Sequence, residues 1–283
     1  MKTSKTVAVA GAVLALSGFA LTGCGSTEPP KVDPSLIAGA SEGGSMTIGI
    51  SFTNPGLGLK DGDTYSGFDV TTAEYVAGAL GVAKDDITWV EATPGNREEL
   101  LTSGQADMVV STYSITDERK KEVAFAGPYF EAHQDLLVRR NTEEITGPET
   151  LDGHTLCSTP GSTSSQYVLD HYKGKITLVE RDNYAECVQS LLDGDVDAVT
   201  TDDVILAGFA SESKYKGKLK VVGDGFTDEY YGIGLPKGDT TMVKEVNAAL
   251  KEYIADGTWK QALEAYVTPS GYQLPSAPTP GVE

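Results

Sequence analysis

Short apolar runs alternate along the first half of the chain with segments whose apolar residues recur at helical spacing. The runs at 46–51, 87–91 and 106–110 indicate buried strands, and the segments at 68–80 and 96–103 predict amphipathic helices. This order of strand, helix, strand, helix and strand predicts an α/β unit, with a parallel sheet that carries helices on its faces.

The same alternation restarts in the second half of the chain. We predict strands at 134–139, 151–157, 176–179 and 196–200, helices at 162–171 and 185–192, a returning strand at 230–235 and terminal helices at 241–255 and 258–266. The restart and the returning strand predict two lobes that are joined by two crossovers, near 131–134 and 227–231.

These crossovers divide the chain into a discontinuous first lobe, 46–132 with 227–267, and a second lobe, 133–226. The Gly- and Pro-rich stretch at 52–63 is expected to be a loop. The tail at 268–283 is rich in Pro and Ser and is expected to be mobile.

The N-terminus has the three regions of a secretory signal peptide. Lys2 and Lys5 form a basic start, an apolar run follows at 7–16, and small residues precede Cys24. The apolar run is too short to span a bilayer. The chain is therefore expected to be exported.

Leu21-Thr22-Gly23-Cys24 resembles a bacterial lipobox. The resemblance implies that residues 1–23 are removed, that Cys24 is lipidated and that the protein is anchored to the outer face of the cytoplasmic membrane. The polar stretch at 24–45 would then be a flexible tether. The alternative is an ordinary secreted protein in which Cys24 is incidental.

The acidic composition limits the partners of the chain. Its 283 residues carry a formal charge of −19 and are enough for one large or two modest α/β domains. The negative charge argues against nucleic acid and against an anionic membrane surface as partners. His133, His154 and His171 show no ligand spacing with the cysteines, so we predict no metal and no cofactor.

Two further cysteines, Cys157 and Cys187, lie in the exported part of the chain. Disulfides persist outside the cytoplasm, so we favour a structural disulfide between them. The alternative is a pair of buried free thiols, because cysteine packs like a small hydrophobic residue.

The segment Ser111-Thr112-Tyr113-Ser114-Ile115-Thr116-Asp117-Glu118-Arg119 has the features of an anion site. It joins a predicted strand to a charged helical turn, where hydroxyls and free backbone N–H groups cluster. Arg119 offers a planar fork of donors suited to a carboxylate, with Ser114 as a neutral donor beside it. The alternative is a capped helix with a solvated Arg119 paired to Asp117 or Glu122.

Four motifs occur in a fixed order through most of the chain. They are Gly67-Phe68-Asp69-Val70, Ala106-Asp107-Met108 leading to the 114–119 segment, Pro160-Gly161-Ser162-Thr163, and Asp195-Val196-Asp197-Ala198-Val199-Thr200-Thr201-Asp202. With them the chain resembles the extracytoplasmic solute-binding proteins of polar amino-acid ABC transporters. Asn96-Arg97, the two cysteines and the 226–232 segment further resemble the glutamate-binding lipoproteins of actinobacteria.

The resemblance implies a two-lobed, two-hinge periplasmic-binding-protein-like α/β fold, in which each lobe is a mostly parallel sheet flanked by helices. It implies a monomer that captures an amino acid between the lobes and delivers it to an ABC permease. L-Glutamate is the expected ligand, and aspartate and glutamine are the alternatives.

The resemblance also implies roles for residues of the interlobe cleft. Arg119 and Ser114 would hold the α-carboxylate of the ligand, with help from Ser162 and Thr163. Asp202, or its neighbour Asp203, would bind the ammonium group.

Three further positions complete the expected site. Arg97 would pair with a side-chain carboxylate of the ligand, and the alternative is an exposed arginine beside Glu98 and Glu99 on a helix face. Ser111, Thr112 and Tyr231 are candidates for the cleft wall or, equally, for core packing.

Two other classes of function compete with a transport component. A few relatives of this fold catalyse the dehydration of cyclic carboxylates, so a cyclohexadienyl-dehydratase-like enzyme is the first alternative. The chain shows no nucleophile elbow, Gly-rich nucleotide loop or metal-ligand spacing, and we therefore predict no enzyme activity. A sensor ectodomain is the second alternative and would need a signalling domain.

Overall fold

The computed structural model describes residues 44–172 and 174–281. The predicted signal peptide, the lipidation site at Cys24 and all but the end of the predicted tether lie outside the described residues. Within them, no helix combines the length and the apolar composition needed to cross a membrane.

In chain order the strands are β1 (Met46–Ile50), β2 (Thr53–Asn54), β3 (Gly58–Asp61), β4 (Thr64–Ser66), β5 (Ile87–Glu91), β6 (Met108–Val109), β7 (Ala124–Ala132), β8 (Gln134–Arg139), β9 (Thr155–Ser158), β10 (Thr177–Glu180), β11 (Ala198–Asp202), β12 (Leu219–Val222) and β13 (Glu229–Leu235). The α-helices are α1 (Phe68–Ala79), α2 (Arg97–Thr102), α3 (Arg119–Glu122), α4 (Thr163–His171), α5 (Tyr184–Asp193), α6 (Asp203–Ser211), α7 (Thr240–Ala255) and α8 (Thr258–Tyr266).

The strands form one five-stranded sheet in each lobe. The first sheet has the order β5-β1-β6-β13-β7, and the second has the order β10-β9-β11-β8-β12. The middle residues of the central strands are apolar and buried: Ile48 and Ile50 of β1 and Leu136 and Leu137 of β8 are fully buried, as expected for sheets covered on both faces. The predicted two-lobed α/β fold is confirmed.

The sheets are mixed, where mostly parallel sheets were expected. In the first lobe β1 pairs in parallel with β5 and β6, but β13 runs antiparallel to both β6 and β7. In the second lobe β8 runs antiparallel to β11 and β12. These antiparallel strands adjoin the connections between the lobes, where the chain changes sheet without the crossover helix that a parallel pair requires.

The chain passes between the sheets twice. It leaves the first sheet after Ala132, crosses at His133 and enters the second sheet with Gln134. It returns between Val222 and Glu229. The first lobe is therefore built from two separate parts of the chain.

Polar caps explain where several helices begin. The side chains of Asn183 and Asp239 accept hydrogen bonds from the backbone N–H groups of Glu186 (3.0 Å) and Met242 (2.9 Å), at the starts of α5 and α7. Gly194 ends α5 in the left-handed conformation, at φ 85°.

Three elements were missed because their sequences lack a simple period. β7 contains Gly127 and Pro128, which indicate a break, but β7 is the outer strand of its sheet, where a proline is tolerated. α6 is mostly apolar and shows no polar face, and β12 is short. The expected loop at 52–63 also differs, since it contains β2 and β3, which form a small antiparallel sheet with β4.

The tail after Thr268 packs against both lobes, where a mobile segment was expected. The hydroxyl of Tyr272 donates to Asp203 in the second lobe (3.0 Å), and its ring lies 6.2 Å from that of Phe130 in the first. The N–H of Gly281 donates to the carbonyl of Gly127 (2.7 Å). The high Pro and Ser content obscured these anchoring residues.

A disulfide joins Cys157 in β9 to Cys187 in α5, as predicted. The Cα atoms lie 5.4 Å apart, and the two residues are separated by 30 positions in the sequence. Both sulfurs are fully buried, so the bond ties a helix to the core of the second sheet.

We expect the double variant Cys157→Ala/Cys187→Ala to lower the free energy of unfolding by about 3–4 kcal/mol, since the reduced chain gains loop entropy when it unfolds. Urea unfolding of the ligand-free protein measures this change. The wild-type protein in a strong reductant should shift in the same direction, and equal midpoints for all three samples would contradict the prediction.

Candidate ligand site between the lobes

The predicted site residues are gathered at the seam between the two lobes. Arg97, Ser111, Thr112, Ser114, Arg119 and Tyr231 come from the first lobe, and Ser162, Thr163 and Asp202 come from the second. All except the partly exposed Thr163 are buried. Most of them lie where a strand ends or a helix begins, so their side chains and free backbone groups face the seam.

The lobes are closed against each other. Arg119 Nη2 donates to the carbonyl of Gly161 (2.8 Å), and the hydroxyl of Thr163 donates to Glu229 at the second connection (3.1 Å). Gly161 has φ 77°, and a Cβ atom there would lie 2.5 Å from the carbonyl oxygen of Pro94 in the first lobe. Only glycine fits this close approach of the two lobes.

Arg97 is a buried cation that has no counter-ion in the part of the chain that the structure describes. Its Nη1 donates to the carbonyls of Ser111 (2.8 Å) and Thr112 (3.1 Å), and its guanidinium stacks 4.2 Å from the ring centre of Tyr113. Its Nε has no partner among the described residues, and no carboxylate oxygen there lies within 4.0 Å. A buried charge of this kind is costly until an anion pairs with it.

Asp202 is the complementary case in the second lobe. Its Oδ2 accepts a hydrogen bond from the hydroxyl of Tyr231 (2.6 Å), and its Oδ1 has no partner in the described part of the chain. Burial, and then the charge of Glu229, raise the pKa of Asp202 well above its usual range, while Arg97 lowers it. A cation beside Oδ1 would satisfy this carboxylate.

Arg119 is more fully engaged than the sequence suggested. Nη1 donates to the carbonyl of Ser114 (2.7 Å), Nη2 reaches Gly161, and Nε lies 3.4 Å from a carboxylate oxygen of Glu98. Burial, and then the charge of Arg97, lower its pKa to about 10. Arg119 therefore links the lobes in addition to any contact it makes with a ligand.

The hydroxyl groups of the site divide into two kinds. Ser162 caps α4 by accepting from the N–H of Ser165 (2.9 Å), and Ser111 donates to the carbonyl of Ala92 (2.9 Å), so both side chains hold the local backbone. The hydroxyls of Thr159 and Ser164 are buried without a partner among the described residues. These two donors were not predicted.

Sequence reasoning also missed three acidic residues of the site. Glu98 accepts from the hydroxyl of Tyr113 (2.7 Å) and pairs with Arg119, and Glu229 accepts from Gln134 (2.7 Å) and Thr163. Asp69 is fully buried beneath the 111–114 segment. In the sequence, Glu98 and Asp69 look like ordinary acidic residues in the first turn of a helix.

One cluster could offer ligand atoms to a metal ion. Glu131, His133 and Asp228 place such atoms within 4.8 Å of one another at the connections between the lobes. His133 Nδ1 already lies 2.9 Å from the carbonyl of Thr227 and 3.2 Å from Asp228. Hydrogen bonding accounts for this cluster without an ion.

The buried acid Asp135 should make the stability of the protein depend on pH. Burial raises the pKa of Asp135 to about 7, against the hydrogen bond that it accepts from the N–H of Leu136. The carboxyl group of Asp135 releases its proton near pH 4 in the unfolded chain but only near pH 7 in the folded protein. Its contribution to the free energy of unfolding is therefore fully present at low pH and is lost as the pH rises towards 7.

Asp135→Asn should therefore become more stable relative to the wild type as the pH rises from 5 to 8. Urea unfolding of both proteins at each pH measures the difference. Asp152→Asn, which removes an exposed carboxylate, is the matched control. A stability difference that shrinks with rising pH for Asp135→Asn would contradict the assignment.

Comparison with known proteins connects this site to a family. The bacterial extracellular solute-binding proteins of family 3 match residues 46–269. The glutamate-binding protein GluB of Corynebacterium glutamicum is 42% identical over 277 residues, covering 93% of this chain and 92% of that protein. The ABC transporter glutamine-binding protein GlnH of Bacillus subtilis is 33% identical over 259 residues, with 90% and 93% covered.

Solved structures agree with these relatives. An ancestral arginine-binding protein bound to arginine superposes with a TM-score of 0.74 at 33% identity, covering 80% of this chain and 99% of that one. The sequence match and the fold lead to one assignment: the chain belongs to family 3 of the bacterial extracellular solute-binding proteins and binds amino acids.

Proposed function

We propose that this chain is a lipid-anchored binding protein that captures L-glutamate between its lobes and delivers it to an ABC importer. The observation that carries the proposal is the pair of unsatisfied charges in the closed seam. Among residues 44–172 and 174–281, Arg97 has no counter-anion and Asp202 has no counter-cation within 4.0 Å, and they lie on opposite lobes close enough for the charge of Arg97 to lower the pKa of Asp202. A zwitterionic amino acid supplies both missing charges.

The ammonium group of the ligand is assigned to Asp202. Both oxygens of its neighbour Asp203 already accept hydrogen bonds, from the N–H groups of His133 (3.1 Å) and Val204 (2.7 Å) and from the hydroxyl of Tyr272. Oδ1 of Asp202 has no hydrogen-bond partner among the described residues. This difference favours Asp202 over Asp203.

The α-carboxylate is assigned to Arg119 and Ser114, with the N-terminus of α4 at Ser162 and Thr163 facing it from the other lobe. Each Nη of Arg119 has two N–H groups and makes one protein hydrogen bond in the structure, so a donor remains on each. The side-chain carboxylate of glutamate is assigned to Arg97. Thr112 and Tyr231 would complete the wall.

The choice of glutamate rests on two observations. GluB, at 42% identity, is named for binding glutamate, and a buried guanidinium whose Nε has no partner among the described residues suits a second carboxylate. GlnH is named for binding glutamine, which keeps glutamine, with aspartate, as a competing ligand. The anchor at Cys24 rests on the lipobox-like sequence.

Calorimetric titration of the purified protein with each of the twenty common amino acids tests the proposal. We expect glutamate to bind most tightly and to be recovered unchanged, as a binding protein requires. Preferential binding of a basic or apolar amino acid, or conversion of the ligand, would overturn it.

A further inference from the structure

The carboxylate of Asp69 lies behind the proposed site and is fully buried. It belongs to the first turn of α1, within the Gly67-Phe68-Asp69-Val70 motif. Its Oδ1 accepts from the hydroxyl of Tyr129 (2.8 Å), and its Oδ2 accepts from the backbone N–H of Thr112 (3.0 Å). Each oxygen therefore already has a hydrogen-bond donor within the protein.

Thr112 has an unusual backbone conformation. Its φ of 42° lies in the left-handed region, which β-branched residues rarely adopt because of steric repulsion. The hydrogen bond from its N–H to Asp69 is therefore made at a position that the chain would otherwise avoid. Asp69 holds the 111–114 segment in this turn.

The turn at Thr112 has a direct effect on Arg97. It brings the carbonyls of Ser111 and Thr112 to the same nitrogen, Nη1 of Arg97, at 2.8 Å and 3.1 Å. These two hydrogen bonds restrict the rotation of the guanidinium, and its Nε has no partner within the described ranges. A chain of contacts runs from Tyr129 through Asp69 and Thr112 to Arg97.

We infer that Asp69 is a positioning residue for ligand recognition: it holds the left-handed turn at Thr112, which orients Arg97 towards the ligand carboxylate. The inference rests on the proposed function. It also gives a reason for an acid to be buried at this position. No Lys or Arg nitrogen among the described residues lies within 4.0 Å of Asp69, and burying an acid without a cation is costly unless its hydrogen bonds serve a purpose.

Three variants separate positioning from general stability. Asp69→Ala removes both hydrogen bonds and should weaken glutamate binding roughly 10- to 100-fold. Asp69→Asn should remain within about threefold of wild type, because its oxygen can accept from Thr112 and its amide can donate to Tyr129. Thr72→Val, on the same helix, removes the buried hydrogen bond from Thr72 to Tyr253 (3.3 Å) and should leave affinity unchanged.

The decisive measurement is a double-mutant cycle with Arg97→Ala, read by calorimetry. If Asp69 acts through Arg97, Asp69→Ala should add little to the loss in that background, and additive losses would overturn the inference. If Asp69→Ala does not fold, the same cycle is made with Tyr129→Phe, which removes one donor to Asp69. Its loss should also disappear in the Arg97→Ala background.

The two proposals fail in different ways. A wild-type protein that binds neither glutamate nor glutamine would overturn the proposed function and this inference with it. A wild type that binds glutamate and an Arg97→Ala variant that does not, together with unchanged affinity in Asp69→Ala, would overturn the inference alone.

Discussion

Replacing Arg97 by alanine is expected to weaken glutamate binding far more than glutamine binding. In the proposed site both ligands would present the same α-groups to Arg119, Ser114 and Asp202, so those contacts would cancel in the comparison and only the side-chain end would discriminate. The carboxylate of glutamate must be desolvated in the closed seam, which is costly unless Arg97 pairs with it, whereas glutamine is neutral there.

The expected size follows from hydrogen bonds to charged groups, which contribute about 1.5–3 kcal/mol. The preference for glutamate over glutamine should therefore fall by roughly tenfold to several hundredfold in Arg97→Ala. Titration of the wild type and the variant with both ligands measures this ratio. Arg97→Lys is the matched variant: it keeps the charge but loses the planar fork, and it should retain part of the preference.

Two outcomes would contradict this role of Arg97. An equal loss for both ligands would mean that Arg97 binds a group they share, or only supports the carbonyls of Ser111 and Thr112. An unchanged affinity for glutamate would place the side-chain site elsewhere.

Replacing Asp202 by asparagine should abolish high-affinity binding of glutamate and glutamine alike. The ammonium group is common to both ligands, and leaving a buried charge without its partner costs about 3–5 kcal/mol, which corresponds to a loss of more than a hundredfold. Titration measures the loss, and scattering with and without saturating ligand should show that the variant no longer changes shape on adding glutamate.

The same substitution should not destabilise the ligand-free protein. Burial and the charge of Glu229 disfavour the ionised form of Asp202, and asparagine removes that charge while still accepting a hydrogen bond from Tyr231. Lost binding with equal or greater stability marks a residue kept for function. Asp203→Asn is the matched control and should affect stability more than binding, and the opposite pattern would reassign the ammonium site.

Much of the fold could be predicted because many of its elements have simple periods. The strands at 87–91 and 134–139 begin and end where the sequence predicts, since apolar runs bounded by polar residues leave little choice of boundary. β7 was missed because Gly127 and Pro128 break the pattern within it. β7 can form a strand in spite of Pro128 because it is the outer strand of the sheet, and a local sequence pattern gives no information about that position.

The candidate site could also be predicted only in part. The local signal at 111–119 predicted where donors would cluster, but not that Arg119 would use some of them on the carbonyls of Ser114 and Gly161. Glu229 and Tyr231 reach the second lobe only because the returning strand passes the seam. Contacts between residues far apart in sequence depend on the closed arrangement of the lobes, and the assigned roles stay predictions until the ligand titrations are made.

The interior position of β13 has a consequence for the order in which the protein can fold during synthesis. β13 lies between β6 and β7, so the first sheet has a gap until residues 229–235 have been made. The second sheet uses only strands between 134 and 222, and its disulfide lies within the same stretch. The middle of the chain can therefore complete its sheet before the beginning does. Until then β6 and β7 expose unpaired edges, which are the sites where an unfinished chain would aggregate.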